Sequence, residues 1–252
     1  MRNAVALAAG TALLFSKVAL GIDAASPGPD WTEAKRTDDL VIFTRDDGPT
    51  GEREIVGVSE ADVPPSAVFD VTEDYAHFTE FMPRMAEVRI IKQFSDLDLI
   101  VYERIDVPVV SDRDMVLRIR RTLGPSNGGT FKAEWSVEKT ITEPVRDDVV
   151  RVDFNSGSWT LEPIDGGRRT RMTYKLFTTA GGSIPRWLSQ FSSTTTIPDL
   201  FEAIKKRAAA EYDRKRREAA SRPPPPPAPV VVEAPPPAPV PKVPVKPPRK
   251  PH

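Results

Sequence analysis

Apolar side chains recur at every second position through most of the region between residues 39 and 178, and no other feature narrows the fold so far. Leu99, Val101, Glu103, Ile105 and Val107 share one side of a run, with Glu103 the single polar member. Met115, Leu117 and Ile119 share the next. Phe131, Ala133, Trp135 and Val137 follow, then Val150, Val152 and Phe154, then Trp159 and Leu161, then Met172, Tyr174 and Leu176. Arg, Lys, Thr, Glu and Asp fill the alternate positions. A strand turns successive side chains to opposite faces, so this pattern predicts an antiparallel sheet with one buried and one wet face. Residues 39–45 and 52–60 alternate in the same way, and Asp46-Asp47-Gly48-Pro49 between them has the composition of a turn. Residues 87–94 alternate more loosely.

Helical spacing occurs in two places. Pro64-Pro65-Ser66 opens a short helix with Val68, Phe69, Val71 and Thr72 on one side, and a second short piece holding Tyr75, Phe78 and Phe81 stops at Pro83. From residue 184 to 220, Trp187, Leu188 and Phe191 form one apolar patch, and Leu200, Phe201, Ile204 and Ala208 form another beyond Pro198. A break is expected near that proline. Past Ala208 the sequence turns charged, and the helix is expected to leave the core and fray. Only this last helix is left to cover the apolar face. The fold class is therefore α+β: a curved antiparallel sheet wrapped around a long C-terminal helix, with short helices after the second strand. Sheet and helix enclose a space that side chains or a ligand must fill.

The ends of the chain belong to neither layer. Of its 27 prolines, 15 lie in residues 223–252, where proline excludes helix and sheet interior alike. The near-neutral net charge of −1 conceals a middle of −6 and a tail of +4. An acidic domain offers no nucleic-acid footprint. The chain has no cysteine and only two histidines, His77 and His252, which excludes disulfides, thiolate metal sites and cysteine nucleophiles. His77 is expected in a loop; no cofactor or metal is expected. At the N-terminus, Arg2 precedes an apolar run over residues 4–15, too short to span a bilayer but of the length of a secretory core, with Ala24 a cleavage position. The alternatives are an uncleaved anchor or a helix packed on the domain. The division expected is a signal peptide over 1–24, a domain over 28–220 and a Pro/Lys-rich tail over 222–252, with an exported, periplasmic or extracellular location. The tail favours an extended polyproline-II chain. Contact with a cell envelope, contact with a proline-binding partner and a merely solubilising extension all remain open for it.

The run VYERIDVPVVSDRDMVL, residues 101–117, contains Tyr102, Pro108, Arg113 and Asp114 in a Y-x-x-x-x-x-P pattern followed by an R-D pair. This resembles the START family of lipid-transfer domains in the helix-grip superfamily. Val68-Phe69-Asp70-Val71, Asp74-Tyr75 and Phe81-Met82-Pro83 resemble its internal helices. Gly157-Ser158-Trp159, Leu161 and Pro163 resemble its G-x-W-x-L-x-P strand. Gly181-Gly182-Ser183-Ile184-Pro185, Trp187 and Leu188 resemble the entry to its last helix. The similarity runs from about residue 30 to 215. It implies a tunnel that holds one lipid, sterol or other hydrophobic molecule, with transient membrane contact and no catalytic group. Helix-grip relatives also include polyketide cyclases and aromatases, in which Tyr174, Glu103 and Arg121 would be the groups to consider.

The candidate cavity residues are Glu103, Trp135, Tyr174, Trp187 and Phe191. A carboxylate on an apolar face demands a partner or a ligand, unless a pleat shift puts it in water. The resemblance implies a basic partner for Glu103 on the next strand, where Ile119 stands at the matching place, flanked by Arg118, Arg120 and Arg121. Trp135 and Tyr174 face inward by parity, as ligand walls or as plain core. Trp187 and Phe191 lie where the family's gate helix begins. Arg113 and Asp114 are expected to form a structural ion pair.

Overall fold

The structure, a computed structural model, describes residue 22 and residues 24–45, 53–125, 129–141, 143–178 and 195–221. The proline-rich tail, Trp187, Phe191 and the glycine-proline stretch over 181–188 lie outside the described residues, as does the N-terminal segment apart from Ile22 and Ala24. Ten strands among the described residues make one curved sheet: β1 Thr32–Arg36, β2 Leu40–Arg45, β3 Arg53–Ala61, β4 Met85–Ser95, β5 Asp98–Ile105, β6 Asp112–Thr122, β7 Phe131–Val137, β8 Val149–Arg151, β9 Asn155–Ile164 and β10 Arg169–Thr178. Their spatial order is β1-β2-β3-β10-β9-β7-β6-β5-β4. All neighbours on this path run antiparallel. The short β8 instead runs parallel to β6, beside residues 112–114 and past the end of β7. The sheet is antiparallel as expected, with this one short strand the exception. The pattern at 150–154 set an inward face but carried no information on direction.

Two short helices follow β3. Helix α1, Pro65–Thr72, begins with Pro64 in extended geometry and a proline in its first turn, where a missing N–H is no loss. A 3-10 turn, Tyr75–His77, leads into α2, Phe78–Phe81. The long helix α3, Ile197–Ser221, buries Ile197, Phe201, Ile204 and Ala208, spaced as one stripe of a helix surface, and lies across the inner face against α1.

Close contact between α3 and the sheet depends on Gly57. A Cβ there would sit 2.7 Å from the Phe201 ring, which is held in turn by Trp159 at 5.3 Å and Tyr174 at 6.4 Å between centroids. Past Ala208 the helix does not fray as expected. It continues to Ser221, carried by Lys215 on Asp70 at 2.6 Å and by Arg214 between Glu211 and Glu218. Charge pairs three and four residues apart supply what burial no longer does.

The main core lies between the inner face, α1 and α3. The outer face carries two small clusters. In one, Ile100, Tyr102 and Val116 pack with Ile91 and Ile141. In the other, Ile22 is buried beside Val41 and Phe43, and Arg36 donates to its carbonyl at 3.2 Å.

Candidate functional site

The register lays out the inner face row by row. Ile42, Gly57, Tyr174, Trp159, Ala133 and Arg121 are successive Cα partners across the sheet. The next row reads Ile55, Leu176, Gly157, Trp135, Ile119 and Leu99. Large aromatic residues stand beside glycine or alanine in both rows, so that rings lie flat over their neighbours. A Cβ on Gly157 would come within 2.4 Å of the Trp135 indole. That indole is fixed by Nε1, which donates to Asn155 Oδ1 at 2.9 Å. Trp135 and Trp159 flank Tyr174, with centroids at 5.7 and 4.6 Å.

Into this apolar field project two carboxylates. Glu73 closes the end of α1. Its Oε2 accepts from Arg121 Nε and, at 3.2 Å, from the Tyr75 hydroxyl. Burial pushes Glu73 up to about 7, against the opposing pull of Arg121. Glu103 faces inward from β5 between Val88 and Met115. Burial, and then the nearby charge of Glu73, raise it to about 7 as well. Desolvation and the Glu103 charge together push the Tyr174 hydroxyl far up.

Glu103 is only half-buried on the inner side of the sheet. Among the described residues no hydrogen bond or ion pair reaches the Glu103 carboxylate or the Tyr174 hydroxyl. Other inner-face side chains, Val88, Ile105, Trp135, Val137 and Leu176, pack on the core and are likewise only partly buried.

Of the sequence-predicted residues, Glu103, Trp135 and Tyr174 share this interior. Trp187 and Phe191 lie outside the described residues. Two expectations are corrected. Met115, not Ile119, stands opposite Glu103, since Ile119 pairs with Leu99. The inner arginine, Arg121, is taken by Glu73 from the helix end. Nor does Asp114 take its charge partner from Arg113: neighbours along a strand point to opposite faces. Asp114 points outward, where Arg151 holds it through Nε at 2.7 Å and Nη2 at 2.9 Å. Arg113 points inward, is nearly buried and donates to the Ser111 carbonyl. His77 lies in the 3-10 turn, exposed, with Nδ1 2.7 Å from Asp74, which raises its pKa.

Sequence reasoning missed Glu73 and Tyr75 as site residues. One signal was present: Arg121 has the parity of Met115, Leu117 and Ile119, and an inward arginine requires an inward acid. An outer cleft of about 520 Å³ lies beside α2 and β4, and its charges pair with one another, Arg84 with Asp106 and Arg104 with Asp112.

A long helix gripped by a curved antiparallel sheet, over an interior with an unmatched carboxylate, defines a helix-grip domain of the START type. The chain belongs to the family described as "Polyketide cyclase / dehydrase and lipid transport", which matches residues 61–205. The STAR-related lipid transfer protein (fragment 25-204) of Xanthomonas axonopodis is 25% identical, with a TM-score of 0.62 over 71% of this chain and 99% of that one. Human StAR-related lipid transfer protein 5 shares the fold at a TM-score of 0.65 and 14% identity, covering 73% of this chain and 88% of its own. An uncharacterized Pseudomonas aeruginosa protein, PA1579, is 26% identical over 199 residues, 77% of this chain and 96% of the relative.

Proposed function

We propose that the domain is a carrier that takes one hydrophobic molecule into its interior and does no chemistry on it. The observation behind this reading is an inward carboxylate, Glu103, that no hydrogen bond or ion pair among the described residues reaches, on an apolar face where Trp135, Val137 and Leu176 are only partly buried. An apolar chain entering such a space gains roughly 0.8 kcal/mol per buried methylene. That is enough to balance its loss from a membrane without any covalent step. The groups a cyclase would use fit binding better. Tyr174 holds its proton more tightly than an ordinary tyrosine, which suits a hydrogen-bond donor and not an acid–base catalyst. Arg121 is committed to Glu73. The test is solvent extraction of the purified protein followed by mass spectrometry. A stoichiometric lipid-like molecule is expected. An empty protein that also binds no fluorescent sterol, fatty acid or phospholipid would sink the reading.

The same proposal places the carrier outside the cytoplasm, on the strength of the apolar run at 4–15 and the basic proline-rich tail. N-terminal sequencing of the mature protein tests this, with Ala25 expected first. A chain that retains Ile22 keeps Val41 and Phe43 covered and counts against cleavage after Ala24. Truncation at Arg222 is expected to spare ligand binding and to release the protein from the envelope.

A further inference from the structure

We propose that the polar end of the ligand is a protonated amine, held by the Glu103 carboxylate and the Tyr174 hydroxyl. The inference rests on the carrier reading and names the ligand class for that cavity. Two observations lead to it.

The first is the balance of charge. Glu73 and Tyr75, from the C-terminal turn of α1, and Tyr174, from β10, lie close enough to Glu103 to feel its charge; the inward cations of β6 are Arg121 and Arg113. Arg121 is already held by Glu73 and by the Asp96 carbonyl at 3.1 Å. Arg113 turns its guanidinium to the Ser111 carbonyl. Once both carboxyls are ionised, the Glu73–Arg121 pair is neutral and Glu103 leaves one negative charge without a counterion among the described residues. A neutral guest would leave that charge standing in a dry space, an anionic guest would be repelled, and a cation would neutralise it.

The second observation is hydrogen-bonding capacity. The open groups are the Glu103 carboxylate, which accepts, and the Tyr174 hydroxyl, which both accepts and donates. Two acceptors suit a head group with several N–H donors.

The experiment uses the full chain, stripped of bound lipid, and three probes with the same twelve-carbon tail: dodecylamine, dodecan-1-ol and dodecanoic acid. Affinities are measured by calorimetry one pH unit below and one above the value of about 7 for Glu103. A charge-assisted hydrogen bond corresponds to roughly tenfold or more in affinity, so at the higher pH the amine is expected to bind roughly tenfold tighter than the alcohol. The amine stays protonated throughout, and only Glu103 must lose a proton to receive it. Its affinity is therefore expected to rise roughly tenfold between the two pH values. Glu103→Gln is expected to erase both the amine preference and the pH dependence. The pH series on the unaltered protein stands independently of how that variant folds. Equal or tighter binding of the acid or the alcohol, or an amine preference that survives Glu103→Gln, would overturn the head-group inference and leave the carrier reading intact. Failure of all three tails to bind would overturn both.

Discussion

The described residues contain the trio tyrosine, acid and arginine twice, once on each face of the sheet, and the two copies behave differently. On the outer face Asp114 is gripped at both oxygens by Arg151 and receives the Tyr102 hydroxyl at 3.2 Å. On the inner face one oxygen of Glu73 receives both Arg121 and Tyr75. A second acid, Glu103, stands near it with no cation of its own among the described residues. A two-point grip on both oxygens fixes geometry and fills the acceptor. A one-point grip next to a surplus carboxylate leaves charge that protonation or a ligand must settle. The outer trio also ties β8 to β6, because the Val152 N–H donates to the Asp114 carbonyl at 2.9 Å. The same chemistry therefore serves architecture outside and reception inside, and the difference lies in how many acceptors each arginine has to satisfy.

Removing one arginine is the most severe way to break this comparison. Arg151→Met strands the Asp114 carboxylate, which is only 1% exposed. The expected loss is roughly 3 kcal/mol or more of unfolding free energy, measured in urea, as for other buried pairs deprived of one partner. The outer trio points away from Glu103 and Tyr174, so ligand affinity of the folded fraction should stay as it was. A loss well below 1 kcal/mol would show the outer trio to be ornamental and remove the contrast.

Protonation sharpens the comparison from the other side. Glu73 and Glu103 titrate near an ordinary 4.5 when unfolded and at about 7 when folded. Between those values the folded protein holds more protons than the unfolded chain. Their contribution to stability is therefore complete below pH 4.5 and is lost as pH rises through 7. At about 1.4 kcal/mol per pH unit, the loss reaches at most about 3 kcal/mol for each group. Glu103→Gln should remove its own share and lower Glu73 by deleting a like charge, so the variant should be the more stable protein at pH 8 in the ligand-free state. Equal stability of variant and wild type from pH 5 to 8 would mean that the inner acids are not strained.

The frame of this comparison was legible in the sequence to an uneven degree. Parity alone placed Glu103, Trp135 and Tyr174 on the inner face, because a period of two leaves only two choices and apolar neighbours select one. Pairing was not legible, since register depends on hairpin length and on bulges. Three such irregularities lie between β4 and β5. The pairing of Asp114 with Arg151 joins residues 37 apart and follows from β8 running parallel to β6, which no local pattern specifies. β1 was missed for a related reason: its sequence, TEAKR, is an edge strand of mostly charged residues and has no apolar face to reveal it. Glu73 escaped notice because a helix end carries no periodicity.

A third test concerns the lid over the inner trio. Gly57→Ala places a methyl group 2.7 Å from the Phe201 ring, which Trp159 and Tyr174 prevent from yielding. The expected destabilisation is about 1–3 kcal/mol, typical of overpacking, and it should fall on α3 and the inner face alone. Hydrogen exchange should then rise in α3 while the β6–β8 contact keeps its protection. Adding Phe201→Leu, which frees the space, should recover part of the loss. Exchange rising equally on both faces would mean that the two trios form one cooperative unit and not two.

The finest distinction removes a single oxygen from each trio. Tyr102→Phe and Tyr75→Phe each delete one hydroxyl at 3.2 Å from a carboxylate that keeps its arginine. Each is expected to lower stability by about 1 kcal/mol. The two should part company in their pH dependence. The Tyr75 hydroxyl favours the ionised form of Glu73, so its loss should raise the Glu73 pKa further and, by keeping that group neutral, ease the ionisation of Glu103. In the Tyr75→Phe protein the pH at which a cationic ligand gains affinity should therefore move down, whereas Tyr102→Phe should leave it in place. A shift of the same size in both variants would show that the outer acid also acts on the cavity. The sheet would then conduct charge effects between its faces instead of keeping them apart.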